Sequence, residues 1–152
     1  MEIRKAVLED IDALVKNRID FVQLIGNPPS SIPEDFAQRT KNYLMDHMKD
    51  EQTLVWVAVD NGVIVSDIMV CFYDTIPMIS NLSGRCGYLL NVYTLPEYRR
   101  QGLASQLIRM IIQESKERNV GKLYLNATQM GRPVYQKMGF ESLEDEMVYI
   151  IK

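Results

Sequence analysis

The sequence predicts an α/β domain: a mixed α+β sheet with helices on both faces, built in the order β-α-α-β-β-β-α-β-α-β. Two patterns carry this. Short runs rich in β-branched residues alternate with longer runs whose apolar residues recur every three or four positions. One long amphipathic run also lies between two strand-like runs, which makes a β-α-β unit at residues 88–127 with its two strands parallel. The other strands can be antiparallel. The 152 residues form one expected domain, 1–152, large enough to bury a core without disulfides or a structural metal.

The elements follow in chain order. Residues 3–7 read as a short strand. From Glu9 to Ile25 the pattern is helical, with Ile11, Leu14, Val15, Val22 and Ile25 on one face. A Gly-Pro-Ser loop, 26–33, leads to a second helix. Ser31-Ile32-Pro33-Glu34 fits a capping box at its start, with Phe36, Tyr43, Leu44 and Met48 as the buried side. Strands over 53–59 and 63–73 flank Asp60-Asn61-Gly62, a tight hairpin turn with Gly62 left-handed. After a polar loop, 74–87, comes a strand at 88–94 that Pro96 closes.

The clearest helix spans 102–118 on the stripe Leu103, Leu107, Ile108, Ile111 and Ile112, with Lys116 and Arg118 at its negative end. A strand follows at 122–127. A short helix at 129–138 carries Pro133 in its first turn and stops at Gly139. Residues 146–151 read as a last strand. Tyr149, Ile150 and Ile151 could make it a terminal edge strand that pairs in a homodimer. Met110, Met130 and Met138 are expected to fill the core.

Composition excludes several classes. Lys and Arg number 17 against 20 Asp and Glu, for a net charge of −3. That balance does not suit a nucleic-acid binder. No apolar run is long enough to cross a membrane, and no signal peptide is legible at Met1-Glu2-Ile3-Arg4-Lys5, so a cytoplasmic location is expected. Cys71 and Cys86 form no metal framework. Neither has a visible histidine partner for an acyl-cysteine route, and Cys71 reads as a buried, inert thiol. The single histidine, His47, excludes His-based triads and metal motifs and reads as a surface residue.

The chemistry lies in two segments. The first is Arg99-Arg100-Gln101-Gly102-Leu103-Ala104-Ser105, between a strand and the long helix. Free N–H groups and the positive end of the dipole suit a phosphate there. Gly102 and Ala104 let it approach the backbone, and two arginines add charge. The same residues also suit a plain basic turn. The segment is neither a P-loop nor a dinucleotide fingerprint. The second segment, 126–140, follows the next parallel strand. Adjacent parallel strands open on one side of a sheet, so Tyr135 could face the same crevice, or pack beside Phe140.

Together these segments resemble the GNAT superfamily of acyl-CoA-dependent N-acetyltransferases. That family carries Arg/Gln-x-x-Gly-x-Gly/Ala between its fourth strand and third helix. Here Arg99-Arg100-Gln101-Gly102-Leu103-Ala104 stands in that place, preceded by Thr94-Leu95-Pro96-Glu97-Tyr98. The family's later tyrosine-lysine-x-glycine-phenylalanine element is similar to Tyr135-Gln136-Lys137-Met138-Gly139-Phe140. The element order agrees over essentially the whole chain.

The resemblance implies acetyl-CoA as acyl donor, no metal, and direct transfer to an amine. Val92, Tyr93 and Thr94 would lie along the pantetheine arm, and an amide N–H there would polarise the thioester carbonyl. The backbone from Arg100 to Ser105, with Arg99 beside it, would hold the pyrophosphate. Asn126 would reach the cofactor, because Thr128 stands where some members have an asparagine. Tyr135 would be the general acid for the thiolate. Leu89, Leu90 and Asn91 supply no strand carboxylate, so the base stays open among Asp67, Tyr73, Asp74, Tyr88 and solvent.

Glu34 and Asp35 either draw a cationic amine or serve a helix N-terminus. The expected partner is a small-molecule amine, whose pocket would be formed by 26–35 and 74–87. A protein N-terminus or lysine is the alternative acceptor. A non-catalytic acyl-CoA sensor and a nucleotide-binding regulator are rival functions.

Overall fold

Alternate residues of the central strands feed two different cores. Leu54, Ile68, Val70 and Leu89 meet one set of helices, while their neighbours Val55, Val57 and Met69 meet another. That is the period of a strand buried on both faces. The structure is a computed structural model that describes residues 1–25 and 31–152. Its elements are β1 (Glu2–Lys5), α1 (Ile11–Ile25), α2 (Phe36–His47), β2 (Thr53–Asp60), β3 (Val63–Asp74), β4 (Arg85–Thr94), α3 (Leu103–Glu117), β5 (Lys122–Tyr124) and α4 (Arg132–Lys137).

The sheet runs β1-β2-β3-β4-β5, antiparallel except for the parallel pair β4 and β5, which α3 connects. On one face, α1 and α2 bring Ile11, Leu14, Val15 and Leu44 against β2 and β3. On the other, Leu107, Ile108 and Ile111 of α3 are fully buried, with Val134 and Tyr135 of α4 packed beside them. The β2–β3 turn has Asn61 at φ 50° and Gly62 at φ 78°, the two left-handed residues of a tight hairpin.

Several expectations are corrected. β1 ends at Lys5, two residues early. A one-turn 3-10 segment, Leu8–Asp10, then leads into α1, held by Asp10, whose carboxylate accepts from Arg4 and from the Val7 N–H. The capping box at Ser31 does not form. α2 begins at Phe36 after a turn in which the Phe36 N–H donates to the Pro33 carbonyl, and Asp35 gives its carboxylate to Arg39 at 2.6 Å. Part of the expected loop, residues 26–30, lies outside the described residues.

Ile25 and Tyr43 are exposed, and Met130 stands in solvent instead of the core. His47 is half-buried, its ring 4.4 Å from that of Tyr43. Cys71 is half-buried and Cys86 is the buried thiol. β5 stops at Tyr124, and α4 occupies only Arg132–Lys137. The expected last strand, 146–151, pairs with no strand among the described residues and stays irregular and exposed.

Candidate functional site

The site begins where two strands part. β4 pairs with β5 only at Cys86–Lys122, Gly87–Leu123 and Tyr88–Tyr124. On its other edge it stays paired with β3 as far as Ser66–Thr94. From residue 89 onward, therefore, the side of β4 that faced β5 is open.

A bulge accompanies the parting. The β3–β4 register slips between Asp67 and Met69, opposite Asn91, whose φ is 55°. A non-glycine residue in that region costs about 1–2 kcal/mol and must be held there. The holder is a buried polar cluster. Asn91 Nδ2 donates to one oxygen of Asp67, and Asn17 Nδ2 of α1 donates to the other at 2.8 Å. Arg18 reaches Asn91 Oδ1 at 3.4 Å.

Asp67 is fully buried, and that burial pushes its carboxyl up to about 7, against the two amides and the Arg18 charge, which act to lower it. This is the value a general base needs, in a place that no acceptor reaches directly. The other candidate bases fare worse. Burial raises both Tyr73 and Tyr88, with the Glu146 charge adding to each, so both phenols stay protonated near neutrality. Asp74 is exposed at the strand end.

At the far end of the open edge, the chain makes a 3-10 turn at Pro96–Tyr98 and enters α3. Two contacts fix this turn: Tyr98 donates to Asp60 at 2.8 Å, and Arg99 Nε donates to the Thr94 carbonyl at 2.9 Å. The Arg99 guanidinium also lies 5.9 Å from the Tyr93 ring centroid. Arg99 is thus bound to its own strand, whereas Arg100, at φ 62°, is exposed. The sequence did not separate these two roles.

Gly102, at φ 78°, begins the helix without any side-chain cap. Gln106 N–H is the first to reach back, to the Gly102 carbonyl at 3.1 Å. The N–H groups of Leu103, Ala104 and Ser105 precede it and have no carbonyl inside the helix. Leu103 buries its side chain against Ala58 and Val65, so only its backbone can serve a ligand. The same holds for Tyr93, whose ring packs against Phe21.

Tyr135 comes from α4. Thr128 starts that helix: its hydroxyl accepts the Gly131 N–H at 3.0 Å. Thr128 thus has a structural use, while Asn126 is exposed. Tyr135 is half-buried, edge-on to Phe140 at 5.9 Å, and burial pushes its phenol up. It packs on the same apolar cluster as Val92 of β4 and Leu125, so the fold brings it to the parted strands. Of the two alternatives for Tyr135, the contact with Phe140 is the one the structure shows.

Comparison with known proteins agrees with this architecture. The model of the Acetyltransferase (GNAT) family matches residues 20–140. The chain belongs to that family.

A structure from Clostridium acetobutylicum, described as a predicted acetyltransferase and solved with acetyl-CoA, is 32% identical. It superposes with a TM-score of 0.88 over 98% of this chain and 95% of that one. A GCN5-related N-acetyltransferase from Ralstonia eutropha is 26% identical, with a TM-score of 0.85 over 99% and 97%. An N-alpha-acetyltransferase of Saccharolobus solfataricus is 25% identical over 150 residues, covering 93% of this chain and 81% of that protein. The chain is accordingly a GNAT acyltransferase. Among the described residues there is no group of three His, Cys, Asp or Glu that could hold a metal, and no helix long and apolar enough to cross a membrane.

Proposed function

We propose that this GNAT chain moves an acetyl group from acetyl-CoA directly to a primary amine in a ternary complex. The observation that carries the reading is the open β4 edge, with an uncapped helix N-terminus at one end and with Tyr135 packed on the same apolar cluster as Val92. A pantetheine arm is a chain of amides and would add to Val92, Tyr93 and Thr94 as a strand adds to a sheet edge. The pyrophosphate would rest on the amides of 102–105, beside Arg100 and the Ser105 hydroxyl. Arg99 and Gln101 would shape the turn: Gln101 Nε2 reaches the Glu97 carbonyl at 3.5 Å.

The chemistry then follows. The amine nitrogen attacks the thioester carbon, and the carbonyl π electrons move to oxygen, which an N–H of β4 stabilises. Collapse of this intermediate breaks the carbon–sulfur bond, and sulfur leaves with the electron pair. Tyr135 donates its proton to the departing thiolate, and the proton that the attacking nitrogen sheds as it becomes an amide restores the phenol. An ordinary phenol is a weaker acid than a thiol by about 1.5 pKa units, so full transfer is uphill by about 2 kcal/mol. Burial ensures that the phenol carries its proton when sulfur departs. The ammonium proton is lost to solvent before attack, because Asp67 is sealed off.

A small-molecule amine is the acceptor favoured from the sequence. A polypeptide α-amino group is the second reading, favoured by the two archaeal relatives named N-alpha-acetyltransferases. For either acceptor, the negative charge of Glu146 near Tyr73 and Tyr88 would attract an ammonium group. The test is thiol release from acetyl-CoA with a panel of small amines, polyamines, aminoglycosides and free-N-terminus peptides. Release with one class identifies the acceptor. No release from any amine, with acetyl-CoA bound, overturns the proposal in favour of a sensor.

A further inference from the structure

Arg18 of α1 is a half-buried cation that makes no ion pair among the described residues. The other arginines that are not exposed are committed. Arg4 lies 2.7 Å from Asp10, Arg118 lies 2.7 Å from Glu51, and Arg99 donates to the Thr94 carbonyl at 2.9 Å. Arg18 reaches the Asn91 amide oxygen at 3.4 Å, which is long for a hydrogen bond. Residues 26–30, Gly-Asn-Pro-Pro-Ser, contain no acidic side chain to meet it. Asp67 acts on it from further off, but both Asp67 oxygens are already held by Asn17 and Asn91. With its carboxyl at about 7, Asp67 also carries only part of a charge near neutrality. Burial pulls the Arg18 guanidinium down from its ordinary value, yet an arginine stays charged. A cation held half out of water is stabilised by an anion placed against it.

The strands show what Arg18 faces. Met69 and Leu90 are cross-strand neighbours, and both pack on the core beneath α1 and α2. Cys71 and Tyr88 are the next pair on that face, and Cys71 is close enough to act on Arg18. Cys71, Tyr88 and Leu90 are each half-buried, so this face is partly open to solvent. Arg18 therefore stands over β4 around residues 88–91, just before the edge 92–94 proposed for the pantetheine arm. The Glu146 charge reaches Tyr73 and Tyr88 on the same part of the sheet. Charges of both signs thus border the place where the amine would arrive.

We infer that Arg18 receives an anionic group of the acceptor, so that the substrate is a small amine that also carries a carboxylate or a phosphate. This rests on the acetyl-transfer reading above. The planar guanidinium offers paired donors that fit either anion. The phosphates of acetyl-CoA do not compete for it, because their proposed seat at 102–105 is at the other end of the open edge. Arg18 would act as a specificity residue: it holds the far end of the acceptor while the amine faces the thioester.

The tests use pairs of acceptors that share an amine and differ in the anion. Amino acids are set against their amides, and aminoalkyl phosphates against the matching amino alcohols. The readout is thiol release from acetyl-CoA by the full chain. The parent should favour the anionic member of one pair at least tenfold in kcat/KM, with the difference in KM. The pair that shows it separates carboxylate from phosphate. Arg18→Met should bring that ratio close to one, and Arg18→Lys should keep part of it. The ratio is taken within one variant, so a change in the amount of folded protein cancels. Where Arg18→Met does not fold, Arg18→Lys carries the test, and an undiminished ratio overturns the inference. Release that is equal or greater with the neutral members also overturns it and leaves the acetyltransferase reading standing. So does a ratio that Arg18→Met leaves intact. No release from any amine, with acetyl-CoA bound, overturns that reading and this inference with it.

Discussion

Asn91 holds a left-handed backbone in the part of β4 that lies beyond its last pair with β5, and its side-chain amide is fastened to the buried carboxylate of Asp67. The bulge and the buried acid are therefore one device. Asp67 touches no open surface, yet through Asn91 it holds the strand edge on which the pantetheine arm is proposed to lie. It is a positioning residue for that edge.

The first prediction concerns pH. Asp67 titrates near 7 in the folded chain and near 3.8 when unfolded. Between those values the folded state holds a proton that the unfolded state has released, so this group's contribution to stability declines as pH rises from about 4 to about 7. The slope approaches ~1.4 kcal/mol per pH unit. Denaturant titrations between pH 5 and 8 should show this decline in the parent chain and a flatter profile in Asp67→Asn, whatever the variant's overall stability. Parallel profiles would contradict it.

Removal of the carboxylate altogether should act on both stability and binding. Asp67→Ala leaves two buried amides without an acceptor, at about 1–3 kcal/mol each. The midpoint of unfolding should fall. KM for acetyl-CoA should rise even at temperatures where the variant is fully folded, since the bulge at Asn91 is no longer held. A stability loss with unchanged KM would mean that the cluster is structural only.

The two adjacent arginines should separate cleanly. Arg100→Ala should weaken acetyl-CoA binding by several-fold at low salt, with the effect shrinking as salt rises, and leave thermal stability unchanged. Arg99→Ala should lower thermal stability instead, because it loses the bond to the Thr94 carbonyl. Calorimetric titration together with thermal melts of both variants reads out the difference.

Gly102→Ala should cost stability through backbone strain alone. A Cβ there meets nothing within 4 Å, so the expected penalty of about 1–2 kcal/mol comes from φ 78°. If the variant relaxes its turn to escape that strain, the helix N-terminus moves and acetyl-CoA affinity falls with it. Unaltered stability and affinity would place the strain elsewhere.

Much of this fold was legible because its signals are local. The Leu103, Leu107, Ile108, Ile111 stripe, the Asn61-Gly62 turn and the β-α-β order each need only neighbouring residues to be read. The family followed from two motifs spaced around that unit. What was not legible depends on distant partners. The Asp67 cluster joins residues 50 and 24 positions apart. Its one local sign was a carboxylate inside the apolar run Val65-Ser66-Asp67-Ile68, and Asn17 gave no sign at all. Ser31 looked like a cap, but Pro33 turned the chain and moved the helix start to Phe36. The strand expected at 146–151 rested on residue types alone, and the structure forms no strand there.

The most direct test of the central claim is the steady-state comparison of the parent chain with Tyr135→Phe, using acetyl-CoA and the best amine from the panel. The account predicts that kcat falls by roughly 10²–10⁴, the range of a lost general acid. KM for acetyl-CoA should stay within about twofold, since the ring and its packing against Phe140 remain. An unchanged kcat, or a loss carried entirely by KM, would contradict the role given to Tyr135.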